Sequence, residues 1–444
     1  MNSLVLPMFR VSDYGLVCYA ALVRDRLAIN GGKPVLPKPW QWQPLGPSSI
    51  GDEEVRAVEN VLRSTEVFRF RLKPNRSEVA RLEAIYRERT GAKFALALGC
   101  GGTGALIASL VGLGVGPGDE VIIPAYTYIA TASAVIVVGA VPIIAEIDES
   151  LTLDPTDVEC KITRYTCAVI PVHMRGLPCQ MNALLRVARR HKLKVLEDVA
   201  QANGGTYRGR ALGTLGDIGA FSLQYYKTIT AGEGGLILTN NRQMYERAAI
   251  WHDSALHYWL PKKSKTRAFA GENYRMSEIA GAVGRVQAQK MPRIVAKLRR
   301  LRKTFLSNLS PLRHLRLVRS GDPDGEVGYS VPFLAGDAKS AQKLAAAIKT
   351  EGVRCGTVHD GTIPDRHIYQ YWEYVMNQWS RNDDARPWKD PAYRGNAKYS
   401  PDMCPRTMNI LMRTVVVDFN QHVSERQARL AAKAVTKVDE MIRL

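Results

Sequence analysis

The sequence predicts an α/β protein with a mostly parallel, seven-stranded sheet between helices and a smaller α/β domain towards the carboxyl terminus. Seven short apolar runs alternate with helical segments between residues 93 and 240, and a second strand–helix pattern follows residue 306. Strands that alternate with helices form parallel sheets covered on both faces. The predicted strands are residues 94–98, 121–123, 141–144, 167–171, 195–198, 218–222 and 236–239, and the intervening helices are 105–113, 129–138 and 183–191.

An amino-terminal region precedes the sheet. Residues 1–26 contain an apolar run without a basic segment before it, so we expect a mobile extension, or an upstream start codon, rather than a signal peptide. Residues 27–75 are predicted to form an arm and a helix. Repeated prolines forbid a helix at the start of this region, and Trp40 and Trp42 are expected to anchor the extended arm on a neighbouring surface.

Two helices are predicted between the arm and the first strand. The first covers residues 52–63, with Ser49 as its cap, and the second covers residues 77–90. Apolar residues recur at helical spacing in the first helix, which predicts that they face the core. These residues are Val55, Val58 and Leu62.

The large domain is expected to span residues 76–305 and the small domain residues 306–444. Residues 278–322 contain no acidic residue between their ends, which predicts a basic helical segment with a solvated face or, alternatively, an anion-binding surface. Pro292 is expected to kink or break this helix.

The small domain has fewer elements. Strands are predicted at residues 331–334, at Val353 and at 415–419, followed by a closing helix at 425–442. Residues 369–399 are rich in aromatic and polar residues but lack periodicity. A connection of this length predicts a functional or interface loop.

Composition narrows the class of protein. The 444 residues include 46% hydrophobic and 23% charged residues, and no apolar run approaches the length needed to span a bilayer. A net charge of +19 favours anionic ligands or a basic surface, but the sequence has no nucleic-acid-binding motif. Seven scattered cysteines without C-x-x-C spacing predict free thiols in the cytoplasm and no metal site.

Residues 197–240 carry the strongest chemical signal. Asp198 ends a predicted buried strand, and Lys227 precedes a Gly-Glu-Gly-Gly turn. A carboxylate can pair with a protonated pyridine nitrogen, and a lysine can hold an aldehyde as a Schiff base. This combination suits pyridoxal 5′-phosphate. Its phosphate needs amide groups at a helix amino terminus, which residues 101–104 are predicted to supply after a strand.

The same residues resemble a known family. The ordered motifs Glu197-Asp198-Val199-Ala200-Gln201, Gly216-Asp217, Phe221-Ser222, Lys227 and Gly232-Glu233-Gly234-Gly235 are similar to those of the DegT/DnrJ/EryC1/StrS sugar and aminocyclitol aminotransferases. The resemblance implies the aspartate-aminotransferase fold, known as fold type I, and pyridoxal phosphate as cofactor. It also implies that the cofactor carries the amino group from one substrate to the other, and that Lys227 and Asp198 are catalytic residues.

The resemblance extends to the residues that hold the cofactor. It implies phosphate contacts from Gly102, Thr103 and Ser222, and a contact from Gln201 on the side of the ring hydroxyl. It implies that Tyr128 stacks on the ring, with Tyr126 as the local alternative.

Residues outside these motifs are implied to complete the site. Asn273, in a segment similar to the family's G-x-N-Y-R-x-x-E pattern, is implied to reach the cofactor of a neighbouring subunit, which requires a homodimer. Arg275 is a second candidate for binding an anionic group. His173 lies at a predicted strand end and is either a substrate-binding or a structural residue.

We therefore predict an aminotransferase that moves an amino group from L-glutamate or L-glutamine to a keto-cyclitol or keto-sugar in specialised, antibiotic-type biosynthesis. The cyclitol preference depends on the Trp- and Pro-rich arm, which is similar to that of the cyclitol-aminating branch. The alternatives are another reaction of the same cofactor, such as a lyase or carbon–carbon bond-forming step with a nucleotide-linked substrate, and a DNA-binding regulator. Lys227 argues against the dehydratase branch of the family, which has histidine there.

Overall fold

A computed structural model describes residues 26–254 and 264–444 of the chain. The prediction of a mobile extension falls almost entirely on residues 1–25 and lies outside the described residues. Every helix in the described residues is too short or too polar to cross a membrane.

Helices and strands alternate along most of the described chain. In chain order they are α1 (Asp52–Ser64), α2 (Glu78–Thr90), β1 (Phe94–Leu98), α3 (Gly101–Leu113), β2 (Glu120–Pro124), α4 (Ala130–Val137), β3 (Val141–Ala145), α5 (Pro155–Lys161), β4 (Thr166–Val169), α6 (Met181–Arg190), β5 (Lys194–Asp198), β6 (Thr206–Tyr207), β7 (Arg210–Ala211), β8 (Ile218–Ser222), β9 (Gly235–Thr239), α7 (Arg242–His252), α8 (Glu278–Leu306), β10 (Arg316–Leu317), β11 (Ser330–Leu334), α9 (Ala338–Thr350), β12 (Cys355–Thr357), α10 (Glu373–Met376), α11 (Pro405–Met412), β13 (Thr414–Asp418) and α12 (Glu425–Met441).

The central sheet has seven strands in the order β1-β9-β8-β5-β4-β2-β3. Strand β9 runs antiparallel to both neighbours, and the pairs from β8 to β3 are all parallel. The predicted mostly parallel sheet is therefore confirmed, with each predicted strand shifted by at most two residues at an end. Parallel strands of this kind place their carboxyl ends along one edge, where ligands bind.

Helices cover both faces of this sheet. Leu96 and Leu98 of β1 pack in one core cluster with α3, whereas Ala95 and Ala97 pack in a second cluster with α2. Successive side chains of a strand point to opposite faces, so this alternation places β1 between two apolar layers.

A second sheet of four antiparallel strands follows, in the order β10-β11-β13-β12. Its core joins α9 and α12 to the carboxyl-terminal end of α8 through Leu301 and Phe305. Val353 is buried but precedes β12, so the prediction of a strand at Val353 is wrong by two residues.

Helix α8 continues through Pro292, so of the two expected outcomes, a kink or a break, the break is wrong. A proline cannot donate a hydrogen bond to the carbonyl four residues before it. That carbonyl belongs to Ala288, and the Arg89 side chain donates to it instead. A side chain of α2 thus replaces the lost backbone hydrogen bond. The sequence of α8 alone does not reveal this replacement.

Helix α1 buries a different face from the one predicted. Its cap is Gly51 rather than Ser49, and Val55 and Leu62 are exposed. The buried Glu54 instead faces α8, where its carboxylate accepts hydrogen bonds from Gln287 and Lys290. A buried carboxylate with charged and polar partners sets the orientation of this helix.

Residues 369–399 pack against the large sheet. Tyr369 and Trp372 are fully buried in its core cluster. Farther along, the Tyr393 hydroxyl donates to Glu120 at 2.7 Å and the Tyr399 hydroxyl donates to the Pro142 carbonyl at 2.7 Å. The division into domains at residue 306 stays a proposal. With that division, residues 369–399 belong to the small domain but pack on the central sheet of the large domain.

Candidate active site

A cavity of about 670 Å³ lies at the carboxyl ends of the central strands, between the two sheets. The amino-terminal arm contributes Trp42, and the second sheet contributes Tyr329 and Asp418. Seven of the eight predicted cofactor-binding residues line this cavity: Gly102, Thr103, Tyr128, Asp198, Gln201, Ser222 and Lys227. Residues far apart in the sequence therefore converge as the motifs predict.

Asp198 ends β5 and is buried at the floor of the cavity. Its carboxylate accepts hydrogen bonds from the Ala200 N–H and the Thr131 hydroxyl, each at 3.0 Å. Burial raises the pKa of Asp198, while these two hydrogen bonds and the charge of Lys227 oppose that effect. A cationic ring nitrogen placed here would compensate the desolvation of the carboxylate.

Thr131 was not among the predicted site residues. Its hydroxyl is shared between Asp198 and the Thr127 hydroxyl, which lies 2.8 Å away. It lies in the first turn of α4, a few residues after the end of the second predicted strand, and this position was its only signal in the sequence. This residue fixes the orientation of the carboxylate, because a carboxylate with two held oxygens has one preferred plane.

Lys227 follows β8 and lines the same cavity. Its backbone is fixed on both sides: the Lys227 N–H donates to the Gln224 carbonyl at 3.0 Å, and the Gly46 N–H donates to the Lys227 carbonyl at 2.9 Å. Burial lowers the pKa of Lys227, whereas Asp198 and Glu233 act in the opposite direction. A lowered pKa increases the fraction of neutral amine, the form that attacks a carbonyl carbon.

The amino terminus of α3 forms a small cradle. Cys100 occupies the cap position without a side-chain hydrogen bond, so the first amides of the helix are left without a side-chain acceptor. A Cβ on Gly102 would lie only 2.9 Å from Ser222 Cβ. Glycine is therefore required for Ser222 and the helix end to face the same space, which suits a phosphate group.

His173 does not line the cavity, and its predicted role in substrate binding is corrected. The side chain is fully buried, with Nε2 3.2 Å from Glu197 Oε2 and Nδ1 accepting a hydrogen bond from the Cys179 N–H at 3.0 Å. Both ring nitrogens are occupied by protein groups, so His173 is a structural residue. It was the second of the two readings that the sequence left open.

The motif contains a second acid, Glu197, directly before Asp198, and the structure shows what Glu197 does. Its carboxylate accepts hydrogen bonds from the N–H groups of Gly213, Leu215 and Gly216 at 2.6–2.9 Å, besides contacting His173. A buried carboxylate with this many donors holds the loop between β7 and β8 in place. Glu197 thus shapes the strand end without facing the cavity.

Asn273 and Arg275 lie outside this chain's own cavity. Asn273 is exposed, and Arg275 forms an ion pair with the buried Asp253. Arg275 does not line this chain's cavity, and its binding of an anionic group stays a prediction. Contribution of Asn273 to a neighbouring subunit stays a prediction.

Aromatic rings line the mouth of the cavity. Tyr128 is 41% exposed and lines the cavity, whereas Tyr126 is buried behind it, which favours Tyr128 of the two stacking candidates. Trp40 stacks on Phe419 at 5.7 Å and anchors the arm as predicted. Trp42 instead reaches the cavity, 6.0 Å from the Tyr226 ring.

Two charged residues of the cavity were missed by the sequence analysis. Arg175 and Asp418 both line it, and Arg175 Nη2 lies 3.2 Å from Asp418 Oδ1. They are separated by more than two hundred residues, so no local pattern joins them. Arg175 does follow the same predicted strand end as His173, and this was the only signal for it.

Comparison with known proteins agrees with the site. GDP-perosamine synthase from Caulobacter vibrioides is 40% identical over 228 residues, 50% of this chain and 59% of that relative. L-glutamine:2-deoxy-scyllo-inosose aminotransferase from Streptoalloteichus tenebrarius is 35% identical over 301 residues, 65% of this chain and 69% of the relative. The match thus spans about three fifths of the first relative's length and slightly more than two thirds of the second's.

The fold comparison covers more of the chain. The aminotransferase from Psychrobacter cryohalolentis superposes with a TM-score of 0.71 at 25% identity, covering 90% of this chain and 98% of that one. The architecture is that of the fold-type-I transferases that use pyridoxal phosphate. Residues 48–382 match the DegT/DnrJ/EryC1/StrS aminotransferase family. The chain belongs to this family.

Proposed function

We propose that the protein is a pyridoxal phosphate-dependent aminotransferase that moves an amino group from L-glutamate or L-glutamine to a keto-cyclitol or keto-sugar. The observation that carries the proposal is the convergence of Lys227, Asp198 and the cradle at Gly102 and Ser222 in one cavity. The names of the two relatives support both acceptor classes.

The residues present fit the cofactor. The cradle at the amino terminus of α3 would hold the phosphate, with Thr103 and Ser222 as hydroxyl donors. Asp198 would pair with the ring nitrogen, Tyr128 would cover the ring, and Gln201 would face its hydroxyl. When bound, pyridoxal phosphate supplies an aldehyde that takes up the amino group and a ring that withdraws electrons from the reacting carbon.

Lys227 has two roles in this proposal. Its amine would hold the cofactor aldehyde covalently until the donor amine displaces it. Released, Lys227 Nζ would accept the proton from the donor α-carbon. The lowered pKa of Lys227 suits both roles, because each requires the neutral amine.

Asp198 would act by charge rather than by proton transfer. Its carboxylate is held by Thr131 and the Ala200 N–H, so it needs no reorganisation when charge develops on the substrate. Tyr329 and Phe419, each next to a strand of the second sheet, also line the cavity.

Sodium borohydride reduction of the holoenzyme tests the assignment of Lys227. We expect peptide mass spectrometry to find one phosphopyridoxyl group, on Lys227, because a reduced carbon–nitrogen bond survives digestion. A label on another lysine, or none after addition of pyridoxal phosphate, would contradict the proposal.

We also propose that the enzyme is a homodimer with shared active sites. Asn273 is exposed outside its own cavity, which supports a contact with the cavity of a second subunit. The exposed apolar residues Val55, Leu62 and Val67 support a surface that pairs with another copy.

Hybrid dimers test the shared sites. Lys227→Ala removes the lysine of one site, and Asn273→Asp places a carboxylate against the phosphate of the other. In co-expressed mixtures of the two variants, a mixed dimer retains one intact site, so about one quarter of wild-type activity is expected if subunits pair at random.

The matched control carries both substitutions in one chain and is co-expressed with wild-type protein. Its mixed dimers have no intact site, so only the wild-type dimers contribute activity. If each cavity is instead complete within one chain, the first mixture should be inactive. The mixed dimers of the control mixture would then keep the site of the wild-type chain, so that mixture would retain about one half of wild-type activity.

We propose a cytoplasmic location and a role in specialised biosynthesis. The six cysteines in the described residues are free thiols, which supports a reducing compartment. The relatives' names support a pathway to aminated sugars or cyclitols.

A further inference from the structure

Arg175 and Asp418 form an ion pair inside the cavity. Arg175 Nη2 contacts Asp418 Oδ1 at 3.2 Å and Oδ2 at 3.3 Å, and Arg175 Nε donates to the Ser330 hydroxyl at 3.1 Å. The two charged side chains remain 23% and 33% exposed, so a ligand in the cavity can reach both. The pair joins the central sheet to the second sheet at the place where substrate must bind.

The backbone at Arg175 is held in an uncommon conformation. Its φ of 55° lies in the left-handed region, which few residues other than glycine adopt. The Arg175 N–H donates to Gln201 Oε1 at 3.0 Å, and the nearby His173 N–H donates to the Asp198 carbonyl at 3.1 Å. Strained residues that the surrounding structure holds in place cluster at functional sites. Arg175 is thereby fixed beside the strand end that carries Asp198.

Charge in the cavity makes Arg175 distinctive. Among the described residues that line the cavity, it is the single arginine and Lys227 is the single lysine. Lys227 must react as a neutral amine, so it cannot serve as a permanent cation. Arg175 is the remaining group with a fixed positive charge and a planar set of donors that fits a carboxylate.

The proposed reaction poses a problem that this pair can solve. An amino donor of the glutamate type carries an α-carboxylate, whereas a keto-cyclitol or the ring of a keto-sugar does not. Both must occupy the same place in turn. A guanidinium left alone while the neutral acceptor is bound would be partly buried without a counterion, which is unfavourable.

We infer that Arg175 binds the α-carboxylate of the amino donor and that Asp418 is its exchangeable counterion. The donor carboxylate replaces Asp418 on Arg175, and Asp418 returns when the resulting keto acid leaves. No covalent bond changes in this exchange. The inference rests on the proposed function and adds the residue that distinguishes the two substrates.

The test uses holoenzyme and glutaramate, which has the carboxylate and side-chain amide of L-glutamine but no amine to react. Calorimetry should show that Arg175→Gln weakens glutaramate binding by about 10- to 100-fold, the loss of one charge-assisted hydrogen-bonded pair. Arg175→Lys should recover part of the affinity, because charge remains but the planar donors do not.

A substrate without the carboxylate separates recognition from structure. For 4-aminobutanamide, which is L-glutamine without its α-carboxylate, the rate of spectral change in single turnover should be the same in Arg175→Gln and wild type. Asp418→Asn should bind glutaramate more tightly than wild type, because Arg175 then has no competing carboxylate.

A control variant tests whether the loss of any ion pair between the two sheets is enough to weaken glutaramate binding. Arg413 pairs with Glu149 at 2.5 Å outside the cavity, so Arg413→Gln should leave glutaramate binding unchanged. If Arg175→Gln slows the single turnover of 4-aminobutanamide by as large a factor as it weakens glutaramate binding, the inference is overturned and Arg175 is a structural clamp. Unchanged glutaramate affinity would also overturn the inference.

Failure of this inference is separable from failure of the proposed function. If borohydride labels Lys227 while Arg175→Gln binds glutaramate normally, the aminotransferase assignment stands and the carboxylate residue lies elsewhere. If Lys227 is not labelled, the proposed function fails first.

Discussion

Lys227→Ala is expected to give a folded protein that can still take up pyridoxal phosphate but has neither its covalent contact nor transamination. The cradle at α3, Asp198 and Tyr128 remain, so the phosphate and ring keep their contacts. What is lost is the amine that holds the aldehyde and accepts the substrate proton. General acid–base catalysis alone contributes about 10²- to 10⁴-fold to a rate, so turnover should fall by at least that amount.

The measurement is the single-turnover rate with L-glutamine, together with cofactor content after gel filtration. Lys194→Ala is a suitable control, because Lys194 is exposed at the start of β5 and does not line the cavity. Added methylamine should restore a little activity to Lys227→Ala by supplying an amine in the vacated space. Near-wild-type turnover in Lys227→Ala would sink the assignment of the catalytic lysine.

Asp198→Asn is expected to lower turnover strongly while changing the shape of the cavity little. The amide is nearly isosteric but cannot stabilise a positive charge on the ring nitrogen. Removal of one preorganised electrostatic group costs about 10²- to 10³-fold in a rate, and we expect a loss of this order. The measurement is the rate of the half-reaction with L-glutamine at saturating donor.

Two variants show whether the loss in Asp198→Asn comes from charge. Asp198→Glu keeps the carboxylate and should retain more activity than Asp198→Asn. Thr131→Val removes one hydrogen bond to Asp198 and should have a smaller effect than either, because the Ala200 N–H still holds the carboxylate. An Asp198→Asn variant with full activity would mean that the carboxylate does not face the ring nitrogen.

The sequence was most informative where signals are local. The seven strands were found because each is a short apolar run between turns, and the residue at the end of a strand then marks the cavity. Asp198, Ser222 and Lys227 were predicted together because the motif keeps them in a fixed order, and Gly102 was predicted because a Gly-rich run follows a predicted strand. All four line the cavity.

Residues whose role depends on distant partners were predicted poorly. His173 was open between two roles until the structure showed Glu197 and Cys179 at its two ring nitrogens. Arg175 was missed because Asp418 lies on β13, and no spacing rule connects them.

The helices gave a similar lesson. The apolar residues Val55 and Leu62 predicted the buried face of α1, but the packing of Glu54 on α8 turned that face outward. Pro292 lies inside α8 because Arg89 satisfies the carbonyl that the proline leaves free. Both outcomes depend on a neighbouring element rather than on the local sequence.

The central claim is that this cavity exchanges an amino group between a donor and the bound cofactor. The most direct test is the absorption spectrum of purified holoenzyme before and after addition of L-glutamine or L-glutamate, without an acceptor. We predict that the visible band of bound pyridoxal phosphate is replaced by the near-ultraviolet band of pyridoxamine phosphate. A visible band that neither donor removes would contradict the account.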